Sequence, residues 1–210
     1  MEVLKTTINV FQTNDEAQLN KIHQAEFNLV VLNRGIDILK DEVRNAIKNN
    51  IQIQFSGNYK KIIDAIKQCD DLNEFKELQN DIEKTISLFY KISKRENLKL
   101  ILRTIDNNLC RKFHTDIHDL RMLCTYAGAG TLWLNNDNID FDALNNCAHN
   151  ECIVRNPKEI KQANVGDILI FKGALYPDFH SNPLVHKSPE LNGNEKRLML
   201  RIDTNEFSNF

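Results

Sequence analysis

The sequence predicts an α+β protein in which a helical N-terminal half packs on a C-terminal double-stranded β-helix, a jelly-roll or cupin-like barrel. Three observations carry this. Through residue 97 most apolar side chains recur three and four positions apart, the period of helices with one buried face. From Leu98 onward the pattern changes to short apolar runs cut by Gly, Pro, Asn and Asp. Eight follow in turn, KLILRTI, CRKFHTD, LRMLCTY, GTLWL, ECIVR, GDILIFK, PLVH and RLMLRI, the number a jelly roll needs. Helices and strands are segregated along the chain, which argues against a wound βαβ sheet.

Residues 13–26 carry a helix start, with Thr13 or Asn14 as N-cap and acids in the first turn. Residues 27–32, FNLVVL, suit a short buried strand. A helix follows, with Ile36, Leu39, Val43 and Ile47 on one face. IQIQF (51–55) alternates as a half-exposed strand and closes at Ser56-Gly57-Asn58. Helices then cover 59–67 and 72–93, the second with a stripe of Phe75, Leu78, Ile82, Ile86, Phe89 and Ile92. Among the later runs the one long loop, 135–148, holds a short helix at 141–146 or forms a lid over the barrel mouth. The 210 residues suit one domain, with 1–97 as mainly helical support and 98–210 as the barrel core.

A net charge of −2 gives no electrostatic reason to expect nucleic acid or an anionic membrane as partner. No run reaches the ~18 apolar residues of a membrane span, and the first residues lack a secretory layout, so a soluble cytoplasmic protein is expected. Five cysteines (Cys69, Cys110, Cys124, Cys147, Cys152) form no C-x-x-C pair, so neither a disulfide framework nor a zinc knuckle is expected. Cys147 and Cys152 flank His149 in CAHNEC, a spacing open to a soft metal or to thiols with no ligand role.

The chemistry concentrates in CRKFHTDIHDLRMLCTYAGAGTLWL (110–134). In an extended strand His114 and Asp116 point the same way, ~7 Å apart at the backbone, a sound geometry for two ligands of one ion. A third ligand comes from PLVHKSP. His186 sits there on a short strand between two prolines, and its rival His180 lies in a loop, where a ligand is held less firmly. Two imidazoles and one carboxylate suit non-haem Fe(II). Arg197 opens the last strand and shares its parity with Met199, Arg201 and Asp203. Pointed inward, Arg197 and Arg201 bury two cations, which calls for an anion such as a dicarboxylate. Pointed outward, they are solvated while Leu198, Leu200 and Ile202 form the core face. Tyr126 is a second candidate for that carboxylate and Arg121 for the substrate mouth, but their opposite parity prevents both from facing inward without a bulge. His118 is assigned to a supporting position or a substrate contact, and Trp133 to the core or rim.

FHTDIHDLRMLCTYAGAGTLWL and GDILIFKG, LVHKSP and KRLMLRID together resemble the C-terminal half of a bacterial family, domain of unknown function 1826 (DUF1826), with NLVVLNRG fitting its front part. The order of His-x-Asp, distant His and Arg is also similar to the prolyl-hydroxylase-like branch of Fe(II)/2-oxoglutarate dioxygenases. That likeness implies Fe(II) on His114, Asp116 and His186, 2-oxoglutarate as cosubstrate on Arg197, and hydroxylation of a small molecule or side chain. The family resemblance implies a metal-homeostasis setting. The chain departs from better-known dioxygenases in its short link after Asp116 and in having Gly128-Ala129-Gly130-Thr131 where Gly-Gly-x-Thr is usual. A different class uses the same ligands without turnover: a non-catalytic barrel holding Zn(II) or iron. A cupin-like interaction module without metal is the third.

Overall fold

A computed structural model describes residues 9–108, 110–177 and 182–204. In chain order the elements are β1 (Val10–Thr13), β2 (Leu29–Leu32), α1 (Lys40–Lys48), β3 (Gln52–Asn58), α2 (Tyr59–Lys67), α3 (Lys76–Ser93) and β4 (Asn97–Ile105). Then come β5 (Leu120–Ala127), β6 (Leu132–Trp133), α4 (Phe141–Asn146), α5 (Asn150–Ile153), β7 (Lys161–Gln162), β8 (Ile168–Lys172), β9 (His186–Lys187) and β10 (Arg197–Thr204). Seven strands form one sheet in the order β1-β2-β8-β5-β10-β4-β3, and three form a second, β7-β6-β9. All pairings are antiparallel except β1 with β2. The small sheet gains one more rung where His114 and His186 exchange backbone hydrogen bonds, 3.0 Å each way.

The period-2 alternation of β10 sorts the protein into two layers. Leu198, Leu200 and Ile202 join Leu98, Leu100, Leu102, Met122 and the apolar stripes of α1, α2 and α3 in one core. The stripe on α3 is the predicted one, with Leu78, Ile82, Ile86, Phe89 and Ile92 all buried; each such side chain contributes ~1.5–3 kcal/mol relative to exposure. Met199 turns the other way, packing with Leu123, Leu169, Phe171, Leu184 and Trp133 between the two sheets. Arg197, Arg201 and Asp203 share that inner face, so the outward alternative for this parity is excluded.

The N-terminal half supplies more than helices. Its strands β1, β2 and β3 extend both edges of the large sheet, so the fold is a mixed α/β one built around a large antiparallel sheet. The expected helix at 13–26 is a 3-10 turn, Glu16–His23, capped by Asp15 accepting from the Ala17 N–H at 2.9 Å. Val10–Thr13 and Lys161–Gln162 are strands that periodicity does not signal. CRKFHTD contributes the single rung at His114, and ECIVR is largely the helix α5, with Val154 bridging Ile139. An apolar run this short fits either state, and here tertiary contacts decide: the Asn150 side chain accepts from the Phe113 N–H at 2.8 Å and donates to the Arg111 carbonyl at 2.9 Å. The short helix expected at 141–146 is α4.

Cys147 and Cys152 are bonded to each other, against the expectation of no disulfide, and as a disulfide they offer no thiolate to a soft metal. Among the described residues no helix is long and apolar enough to cross a membrane.

Candidate metal centre

His114 reaches the centre from the rung beside β9, His186 from β9 itself, and Asp116 from the loop between that rung and β5. Ligand atoms of the three lie within 4.8 Å of one another. The Asp116 carboxylate stands 3.5 Å from His114 Nε2 through Oδ1 and 3.2 Å from His186 Nε2 through Oδ2. Each imidazole turns Nδ1 to a backbone carbonyl, His114 to Lys112 at 2.9 Å and His186 to Leu184 at 3.4 Å. Donating Nδ1–H to a carbonyl places the lone pair on Nε2, the arrangement a metal-ligating histidine needs. His180, the rival ligand, lies outside the described residues.

Burial alone would raise the Asp116 carboxyl, but the polar nitrogens of His114, His118 and His186 packed around it outweigh burial and hold the group far below the usual carboxylate range. That same carboxylate raises His114, while burial lowers His186. The three side chains therefore set a carboxylate that favours its ionised form between two imidazoles.

Arg121 does not line the mouth. Its guanidinium is divided between Asp116 Oδ2 and Asp203, with Nε 2.5 Å from Asp203 Oδ1. Arg201 holds the other oxygen of Asp203 at 2.6–2.7 Å. Burial would raise the Asp203 carboxyl, and the two arginines, Arg121 first, pull it down instead. His118 is also inside, its Nε2 3.2 Å from Asp116 Oδ2 and its ring beside Phe171. It is a support to Asp116, not a contact open to substrate.

Tyr126 faces away from the centre. Its hydroxyl donates to Asp81 at 2.7 Å in the helix-side core, and burial pushes that hydroxyl well above its ordinary pKa. The β5–β10 register does shift, from Leu198 opposite Ala127 to Met199 opposite Thr125, without turning Tyr126 inward. The Tyr126 expectation is corrected by that placement. Trp133 is a core residue, 3% exposed between the sheets.

Arg197 is 1% exposed and faces inward. Among the described residues it has no carboxylate partner and Nε has no partner of any kind; Nη2 meets Thr125 Oγ1 at 3.4 Å and Met199 Sδ at 3.9 Å. Burial lowers its pKa to about 10. Thr125 and Asp203 complete this inner wall. Both share parity with residues singled out in the sequence, Thr125 with Arg121 and Asp203 with Arg197, which was the available signal.

Gly173, directly after β8, lets the ligand loop close. The N–H groups of Gly173, Ala174 and Leu175 donate to the carbonyls of Asp119, Asp116 and His118 at 2.8–3.0 Å. A Cβ at Gly173 would lie 2.2 Å from the His118 carbonyl oxygen and 2.7 Å from His118 Nδ1. Backbone cannot rotate aside as a side chain can, so Gly173→Ala should cost ~1–3 kcal/mol, the range for overpacking. Thermal melting together with Mn(II) titration checks this, and a wild-type midpoint and affinity would refute it.

Solved structures with this fold include the dioxygenase for auxin oxidation 1 from Arabidopsis thaliana, in a 2-oxoglutarate binary complex. It is 10% identical, covers 94% of this chain and 92% of its own, and gives a TM-score of 0.54. The rice dioxygenase for auxin oxidation is 9% identical over 94% and 82%, with a TM-score of 0.53. A Pseudomonas putida prolyl-4-hydroxylase is 9% identical over 90% and 97%, with a TM-score of 0.50. At these identities the likeness establishes an oxygenase-type fold. The chain belongs to the family described as protein of unknown function (DUF1826), whose model matches residues 13–203. No curated protein matches it.

Proposed function

We propose that the protein is a non-haem Fe(II)- and 2-oxoglutarate-dependent oxygenase that hydroxylates a small molecule or a side chain. The observation that carries this reading is Arg197, a buried guanidinium with an orphaned Nε and no carboxylate partner among the described residues, beside Met199, whose cluster includes Phe171, the ring that packs on His186. A buried cation is costly unless an anion meets it, and a planar guanidinium grips a carboxylate with two parallel bonds. Arg201 is a weaker candidate for that carboxylate because Asp203 already occupies it.

The residues fit the ion as well as the anion. His114 and His186 present Nε2, Asp116 presents an ionised oxygen, and such a set leaves positions open for a chelating cosubstrate and O₂. When bound, the iron and 2-oxoglutarate supply oxidation of a C–H bond by O₂, with succinate and CO₂ as coproducts. Arg197 and Thr125 would hold the remote carboxylate. Leu123, Leu169, Phe171 and Met199 keep the inner wall dry, which strengthens each of these polar contacts.

The test is succinate release from 2-oxoglutarate by anaerobically purified protein reconstituted with Fe(II) and then exposed to O₂. Succinate should require iron, O₂ and 2-oxoglutarate together and vanish with a chelator. Tight Zn(II) or Fe(II) binding without any succinate would favour the non-catalytic metal-binding reading instead.

A further inference from the structure

We propose that Arg121 and His118 jointly position Asp116 for metal binding by occupying Oδ2, so that Oδ1 is the oxygen left to ligate the ion. This rests on the metal reading above. An ionised carboxylate oxygen offers about two lone-pair directions. Oδ2 of Asp116 meets Arg121 Nη1 and, at 3.2 Å, His118 Nε2, which uses both. His186 Nε2 also stands 3.2 Å from Oδ2. With its Nδ1–H directed at Leu184, however, that nitrogen carries a lone pair and does not compete as a donor. Among the described residues, the polar contact of Oδ1 is His114 Nε2, at 3.5 Å.

Both positioning groups are anchored from behind. Arg121 is pinned through Nε to Asp203, and Asp203 is itself fixed by Arg201. A guanidinium shared between two carboxylates cannot swing toward either one alone, so it sets the distance between β10 and the ligand loop. His118 is fixed through its own carbonyl, which accepts from the Leu175 N–H at 3.0 Å. Its buried Nδ1 has no partner among the described residues, so the ring's hydrogen bond is the one that Nε2 makes to Asp116. Ligation through one oxygen would use one position on the ion, where ligation through both would use two.

The experiment uses the full chain loaded with Co(II), whose visible absorption reports its ligand set, together with a competition titration for affinity. Arg121→Gln and His118→Phe should each weaken Co(II) binding 10- to 100-fold, the usual cost of losing an outer partner of a ligand, and shift the absorption bands. Arg121→Lys should recover part of both, since one ammonium reaches Asp116 without reaching Asp203. Asp203→Asn, which touches no ligand, should move both readouts the same way by a smaller factor, and it serves if Arg121→Gln fails to fold. Wild-type affinity and an unchanged spectrum in Asp203→Asn and His118→Phe would overturn the proposal. Failure of the wild-type chain to bind Co(II) would instead sink the metal reading itself.

Discussion

Arg197→Met should melt above the wild-type protein in the absence of 2-oxoglutarate and bind 2-oxoglutarate at least ~30-fold more weakly. The two effects have one cause. The folded chain keeps a guanidinium out of water with Thr125 and Met199 as its nearby polar and sulfur contacts, and Nε is unsatisfied. Replacing buried charge by an apolar side chain of similar volume is often stabilising by ~1–4 kcal/mol. For a chain of this size each kcal/mol raises the midpoint by ~2–4 °C. With an anion present the balance inverts, because truncating one member of a desolvated charge pair costs ~2–5 kcal/mol of binding. Thermal melts with and without 2-oxoglutarate and Mn(II) measure both. A ligand-induced rise that survives Arg197→Met would take the cosubstrate away from this residue, and a lowered midpoint without ligand would make the arginine structural.

The sequence makes four of these positions legible for a physical reason. Arg197 lies on a strand whose alternation assigns it a face once Leu198, Leu200 and Ile202 are known to be core. His186 lies on a short strand as expected. His114 and Asp116 meet it even though no strand carries them, because one backbone rung at His114 fixes the loop. Parity says only that Arg121 and Tyr126 take opposite faces, and the partners of Arg121 follow from contacts that no periodicity encodes: Asp203 pairs across the β5–β10 register, and Asp116 returns through a loop. Tyr126 fails on the same grounds, since its rival parity leads to Asp81 on α3. FNLVVL and IQIQF announce β2 and β3 but not that β2 pairs with β8 far along the chain; β1 has no alternation in VFQT to show, and a two-residue strand such as β7 is too short to show a period. Gly173 is plain in GDILIFKG, yet only the approach of the His118 carbonyl gives it a purpose.

Asp116→Ala tests the same electrostatics with the opposite sign. Here the charge is paired, so its removal strands partners that were satisfied. Arg121 keeps Asp203 but loses its second carboxylate, and His118, itself buried, loses its acceptor. Breaking a buried ion pair by deleting one partner costs ~3–5 kcal/mol, with the lower end expected because Asp203 remains. The variant should therefore melt several degrees below wild type without metal, where Arg197→Met melts above it. Mn(II) affinity should fall by more than the ~100-fold that loss of an outer partner costs, since a ligand and the only formal negative charge among the three are gone together. Asp116→Asn separates the contributions, keeping the shape of the carboxylate while discarding its charge. It should recover much of the lost stability and little of the lost affinity. Mn(II) binding within tenfold of wild type in Asp116→Ala would remove this residue from the ligand set, and with it the argument that Arg121 and His118 exist to aim it.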